Sequence, residues 1–421
     1  MKQLILRALG TVLILLFGIQ IVFGVAWLFN NIWTDRGFIG AVLVLVQVMV
    51  GFGVIQALFA VLLPKCQKDF TVFTALAALC IPQVMQTFTS NYTNAFAVAA
   101  YIMMVTLALG GREDESRKPY RPVAVMGLLW IVSALLMPEY LYIGGILMIT
   151  GALYKLKGIV NITLCINTFL IVGAFCGILL AGKGLMINAG LVESRENEFS
   201  LRLVSRLAWP NLQNNHKDWP EEIKNVMDWD AAGEISQTAD GIFEIFDPLF
   251  RQTMSADKAQ EVYFKLAKCA LQIRKKDIAG RMLWDGACYL FSPYLITLQL
   301  KGIGYQTYSG RNYEMMKENA PFLTKYYVDF GGICFLGGMI IMLMIMLLST
   351  KEKPKKEEYK KEEYEKKTTQ SVVWFVGINI LFMVACFVLR GGGMMDYKLT
   401  AFVYVVWISV QSYALQKLKE K

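Results

Sequence analysis

The chain has 421 residues, 56% of them hydrophobic and only 18% charged, with a mean hydropathy of +0.44. A soluble protein carries about a quarter charged residues, so this composition calls for a lipid solvent and excludes a water-soluble globular enzyme. The net charge of +9 does not point to nucleic acid, because the surplus sits in short loops and tails beside apolar segments.

Taken in chain order, ten segments approach the ~20 residues that cross a hydrocarbon core: about 8–29, 38–63, 70–88, 93–110, 122–137, 139–154, 158–181, 328–349, 371–389 and 396–414. The first is longer than the ~7–15-residue apolar core of a signal peptide and is expected to stay as an anchor. The fifth and sixth are short and meet at Pro138, which suits either two tilted helices or a re-entrant pair. ACYLFSPYLITLQL, 287–300, has Pro293 in its middle and is too short to cross alone, so an interfacial or re-entrant helix is expected there.

Charge fixes the expected orientation. With the N-terminus inside, the inner segments hold Lys2 and Arg7, Lys65 and Lys68, Arg112, Arg117, Lys118 and Arg121, and Lys155 and Lys157. Eight lysines follow in 351–367, and Lys417, Lys419 and Lys421 close the chain. The short outer segments hold only Arg36, Arg390 and Lys398. This asymmetry obeys the positive-inside rule and predicts a multi-pass plasma-membrane protein with both termini cytoplasmic. KKEEYKKEEYEKK, 355–367, reads as a solvated stop-transfer linker, with contact to anionic lipid as the alternative.

The expected class is therefore an all-α polytopic membrane protein of about ten spans with a small, mainly helical extracytoplasmic domain. The predicted parts are a membrane domain of about seven spans (1–182), the outer domain (183–327), and a second membrane domain of about three spans (328–421) with a charged cytoplasmic linker at 350–370. In the outer domain basic and acidic side chains balance. SADKAQEVYFKLAKCALQIRKKD, 255–277, places Ala259, Val262, Leu266, Cys269, Ala270 and Ile273 on one helical stripe behind Ser255 as N-cap. WPEEIKNVM, 219–227, opens a second helix with proline and acids in its first turn.

Eight cysteines show no metal-ligand spacing; Cys269 and Cys288 share the outer domain and pair only where the compartment oxidises them. A single histidine, His216 in a polar turn, argues against a His-based metal site or a Ser–His hydrolase. The chemistry-bearing residues lie at the two ends of the outer domain. SLRLVSRLAWPNLQ, 200–213, carries Arg202, Arg206 and Trp209. KGIGYQTYSGRNYEMM, 301–316, carries Tyr305, Tyr308, Arg311, Asn312 and Tyr313. Arginine grips phosphate in a paired contact, and tyrosine lies against a sugar face while its hydroxyl bonds, so the set suits a lipid-linked phosphosugar at the membrane surface. The alternative is an aromatic interfacial belt with snorkelling arginines.

The layout resembles the C-type (GT-C) polytopic membrane glycosyltransferase superfamily, as a divergent bacterial member. The closest local match is GLLWIVSALLMPEYLYIGGILMITGALY, 127–154, which resembles that family's hairpin with a basic-Pro-acid corner; Pro138 and Glu139 match, whereas Met137 stands where the family often has Arg or Lys. SRLAWP and DWPEEI also look like outer regions of bacterial relatives. The resemblance implies transfer of a sugar from a polyprenyl-phosphate carrier to a polysaccharide or other envelope acceptor on the extracytoplasmic face. It implies Asp35 or Glu139 as the catalytic carboxylate, with a divalent cation as the one candidate cofactor and no residue assigned to it. The family's first outer loop is long, whereas FNNIWTDRGF, 29–38, is short and Asp35 is its only acid. That departure favours a second class, a non-catalytic scaffold or sensor of envelope assembly. A polysaccharide polymerase or ligase has a similar layout. A transporter ranks last, because the spans hold almost no ionisable groups.

Overall fold

A computed structural model of the protein describes residues 2–32, 37–64, 66–89, 92–110, 120–137, 140–156, 162–189, 275–291, 322–349, 359–390 and 397–419, with single positions 252, 255, 258, 261, 264, 265 and 268. Long apolar runs have no water to satisfy their backbone, so they close their hydrogen bonds within helices. Among the described residues the chain is helical, with no strand. The helices are α1 (Lys2–Ile32), α2 (Gly37–Leu62), α3 (Lys68–Leu79), α4 (Pro82–Thr89), α5 (Tyr92–Leu109), α6 (Tyr120–Leu136), α7 (Tyr140–Leu156) and α8 (Ile162–Asn188). They continue as α9 (Lys275–Phe291), α10 (Phe322–Ser349), α11 (Tyr359–Arg390) and α12 (Tyr397–Lys419). The chain divides into two compact units, one of Met1–Asn188, Phe322–Met383 and Tyr397–Lys421, the other of Ala189–Pro321 and Val384–Asp396.

In the first unit, the pattern of burial explains how an almost uniformly apolar helix chooses a face. Leu6, Gly10, Leu13, Phe17, Gln20, Gly24 and Trp27 of α1 are buried, alternating steps of four and three residues along one seam. That is the spacing of knobs-into-holes packing, here against α10, α3, α4 and α12. The opposite face of α1 exposes Leu4, Leu15, Val22 and Phe29, and α2 and α10 likewise expose Phe38, Ile39, Met49, Ile340 and Leu347. Exposed faces this apolar on helices of this length are lipid-facing. Four helices (Lys2–Phe29 within α1, α2, α5 and Gly331–Leu348 within α10) are long and apolar enough to cross a membrane, and α3 with α4 make a fifth candidate as a broken pair. Arg121–Leu136, Tyr140–Tyr154, Leu170–Gly182 and Gln370–Cys386 are shorter apolar helices. Among the described residues the chain is thus an all-helical membrane protein.

Close contacts order the helices along the bundle. Gly10 faces Leu415 and Leu418, and the Cys66 thiol donates to Gln416 Oε1 at 3.3 Å. The start of α1, the α2–α3 junction and the end of α12 therefore share one end of this unit. α12 is the central helix: Ala401 to Val405 are fully buried. α11 runs 32 residues, about 48 Å at 1.5 Å per residue. The KKEEY-rich segment expected as a linker is thus helical from Tyr359 onward, continuous with the apolar part of α11.

In the second unit, Ser255 lies outside a helix while positions 258, 261, 264, 265 and 268 are helical. Lys258, Glu261, Lys265 and Lys268 are exposed, and Lys265 pairs with Glu261 at 3.1 Å one turn away. These positions lie on a face turned about 100° from the expected apolar stripe. α9 covers the first residues of the expected interfacial segment 287–300; positions 292–300 lie outside the described residues. Gly286 of α9 packs against Val384 and Val388.

Candidate functional site: an interrupted helix among buried amides

The third expected span, 70–88, is two helices. α3 and α4 are bent by 78° across Cys80 and Ile81, and the sequence explains the break. Proline disfavours helical geometry in the residue before it and has no N–H to continue the ladder; Ile81 and Pro82 occupy those two places. Cys80 N–H still bonds Leu76 O, but Ile81 N–H turns back to Ala78 O at 3.3 Å. Ala77 O thereby loses its regular partner. The Gln20 side chain replaces it, Nε2 donating to Ala77 O at 2.8 Å from α1.

A second buried glutamine serves the other end of α4. In the orientation that satisfies both neighbours, the Gln47 amide donates to Phe88 O at 3.1 Å and accepts from Tyr92 N–H at 3.3 Å. It thus ties the last turn of α4 to the first residue of α5. Gln47 is the eleventh residue of α2, so the α4–α5 junction meets α2 about 15 Å from the start of that helix.

Three glycines let the neighbouring helices close on the break. A Cβ at Gly24 would stand 2.5 Å from Cys80 Cβ, one at Gly331 2.5 Å from Pro82 Cγ, and one at Gly51 2.7 Å from the Phe88 ring. No side chain fits at those separations, so α1, α10 and α2 each need glycine where they do. This is the small-residue packing that lets membrane helices approach closely. α12 packs along α4 and contributes Gln411, Ser409 and Ser412. Both serine hydroxyls donate within their own helix, to Val406 O and Ile408 O.

The α6–α7 corner is a second interruption in the same unit. Tyr140 N–H bonds Met137 O at 3.0 Å, closing a four-residue turn at the corner. The Trp130 indole N–H is shared between Tyr140 O and Leu141 O at 3.2 and 3.1 Å, and its ring lies on Gly144 and Gly145. Met137 and Tyr140 are both buried. The Tyr140 ring meets Tyr101 edge-on at 5.4 Å, and Tyr101 meets Phe402 at 5.2 Å. Tyr101 is the tenth of the eighteen residues of α5, so the corner is anchored opposite the middle of that helix.

The residues expected to bind and catalyse, Asp35, Glu139, Arg202, Arg206, Trp209, Tyr305, Tyr308, Arg311 and Asn312, all lie outside the described residues. Their described neighbours are informative at two places. Ile32, before Asp35, is buried, and Gly37 after it has φ +63°, a conformation that glycine adopts without strain. Met137 and Tyr140, on either side of Glu139 in sequence, are buried. The buried polar side chains among the described residues are all uncharged, and no three His, Cys, Asp or Glu side chains gather there. The arrangement can hold neutral hydrogen-bonding groups.

Sequence reasoning passed over the four buried glutamines, Gln20, Gln47, Gln83 and Gln411. The available signal was an amide inside an apolar run, which is costly in lipid unless it has a task. The described residues define a helical membrane protein with one sharply bent pair of apolar helices. No protein-family model, curated protein or solved structure matches the chain.

Proposed function

We propose that the protein is a membrane glycosyltransferase that moves a sugar from a polyprenyl-phosphate carrier to an envelope acceptor on the extracytoplasmic face. The observation that supports it is the Met137–Tyr140 turn. Its flanks are buried and its backbone is held by the Trp130 indole. General-base catalysis uses a carboxylate that is held in place and partly withdrawn from bulk water, and Glu139 falls in sequence between these two buried residues. In this reading Glu139 takes the proton of the acceptor hydroxyl as its oxygen attacks the sugar's anomeric carbon, and the carrier phosphate leaves with the bonding electron pair. Arg202, Arg206 and Arg311 neutralise that phosphate, while Trp209, Tyr305, Tyr308 and Asn312 hold the sugar. Asp35 is the second candidate base. The ten-span layout, with both termini cytoplasmic and residues 183–327 outside, belongs to the same proposal.

A specific observation favours the scaffold reading. α1 ends at Ile32 and α2 begins at Gly37, so Asp35 falls among only about four residues between them, far fewer than the long first outer loop of the glycosyltransferase family. One assay separates the two. In nanodiscs with a radiolabelled polyprenyl-phosphate sugar and an oligosaccharide acceptor, the protein should transfer label and Glu139→Gln should not, while carrier binding persists. Undiminished transfer by Glu139→Gln and by Glu139→Gln with Asp35→Asn would end the carboxylate mechanism. No transfer by the unmutated protein to any acceptor tried would support the scaffold.

A further inference from the structure

Four glutamines are buried in the first unit, and they divide by what their amides do. Gln20 and Gln47 repair the backbone that the α3–α4 break leaves open. Gln83 and Gln411 have no such duty. Gln83 is 6% exposed with Oε1 unpaired, and Gln411 is 1% exposed with Nε2 unpaired. An orphaned buried amide group is costly enough to call for an explanation, and a ligand is one of the few that physics offers.

Their placement makes one locus of them. Gln83 is the second residue of α4, next to the break, and α4 packs along α12, which carries Gln411. On α10, Gly331 faces Pro82 and Gly338 faces Gln411. Two α10 positions seven residues apart lie on one face, about 10 Å apart along the axis. Phe335, between them on that face, packs edge-on against Tyr404 of α12 at 5.1 Å. Pro82, beside Gln83 at the interruption of a membrane helix, and Gln411 thus meet the two ends of the α10 stretch that carries Phe335. Non-helical backbone at membrane depth is tolerated where it is enclosed by protein or lines a cavity, and interrupted helices are where membrane proteins bind polar substrates.

We propose that the α3–α4 break, with Gln83 and Gln411, is a binding site within the bundle for an uncharged, hydroxyl-bearing group such as the sugar of a glycolipid. One hydroxyl of the ligand donates to Gln83 Oε1, and an oxygen of the ligand accepts from Gln411 Nε2. Glycosides supply both, with an aromatic pair between to meet an apolar sugar face. The buried polar side chains described in this unit are neutral, which suits a sugar and disfavours a phosphate. The site requires neither Glu139 nor catalysis, so it stands or falls apart from the transferase reading.

Photolabelling tests it on the full chain in nanodiscs, with a diazirine-bearing alkyl glucoside as probe and the same alkyl diazirine with a phosphocholine head as comparison. The glucoside should label peptides within 79–92 and 404–415 at least tenfold more than the phosphocholine probe does. Gln83→Met and Gln411→Met should each remove that preference. Each should also raise the melting temperature in the absence of probe, because a nearly isosteric apolar side chain relieves an unpaired amide. Equal labelling by the two probes overturns the proposal. So does a glucoside preference that survives both substitutions, or a melting temperature that falls in both, which would mean that the amides are structural.

Discussion

Replacing Gln20 by methionine should destabilise the protein, although the same change at Gln83 should stabilise it. Gln20 is almost fully buried, and its Nε2 is the donor that stands in for Ile81 N–H at Ala77 O. Methionine fills nearly the same volume, so the packing seam of α1 is kept and the loss is confined to one hydrogen bond. A buried acceptor left without a donor costs about 1–3 kcal/mol, and interhelical side-chain bonds within membranes average nearer 0.6, reaching about 1.7 kcal/mol. The expected loss is therefore about 1–2 kcal/mol. With unfolding entropy scaling by chain length, a unit of this size loses roughly 1–2 °C of melting temperature per kcal/mol. Gln20→Met should then melt about 1–4 °C lower in nanodiscs, followed by tryptophan fluorescence. Hydrogen exchange should rise at the amides of Cys80 and Ile81, where the break loses its external tie. An unchanged melting temperature, with unchanged exchange at the break, would refute the claim that Gln20 completes the backbone of α3.

Gly24→Val should cost more than Gly18→Ala, which should be neutral or slightly stabilising: a Cβ at 24 would lie 2.5 Å from Cys80 Cβ, and one at 18 meets nothing within 4 Å. Comparable thermal melts for the two variants would remove glycine packing from the account of the break. Arg311→Gln should weaken binding of a polyprenyl-phosphate ligand at least about tenfold without lowering thermal stability, and Arg311→Lys should recover only part, since an ammonium cannot make the paired contact. Unaltered affinity in Arg311→Gln would return residues 301–316 to the status of a spacer. In a cysteine-free background, an impermeant maleimide should label His216→Cys in intact cells and leave Lys360→Cys untouched; labelling at 360 would invert the proposed orientation.

Much of the fold was legible because its signals are local. Apolar runs without water must be helices, so the α1, α2, α5 and α10 segments read directly from hydropathy. The short hairpin at 122–154 was marked by Pro138, and the Met137–Tyr140 turn stands there. What hydropathy hid was direction and continuity. The seam of α1 uses Gly10, Gln20 and Gly24 among larger residues, and no amphipathic pattern distinguishes it, because lipid and protein interior ask for the same side chains. The α3–α4 break was spelled by Ile81 and Pro82, yet 70–88 has the length and hydropathy of one span. The glycines that let α1, α2 and α10 close on the 78° bend lie in three distant segments, where no local pattern joins them to it.

The candidate site was read where charge and aromatic chemistry are concentrated, in the outer segments and at Asp35 and Glu139. The described bundle draws attention instead to neutral amides, which a search for ionisable groups passes over. Such a search weighs the cost of burying charge, and a glutamine escapes it because its cost appears only when a partner is missing. Gln20 and Gln83 look alike in sequence, each an amide within an expected span. They differ in that the break gives Gln20 an open carbonyl and leaves Gln83 Oε1 with nothing. The same kink that creates a structural need for one glutamine gives the next a candidate ligand position. A chain that needed only a bent helix would keep Gln20 and Gln47 and gain stability from an apolar residue at 83.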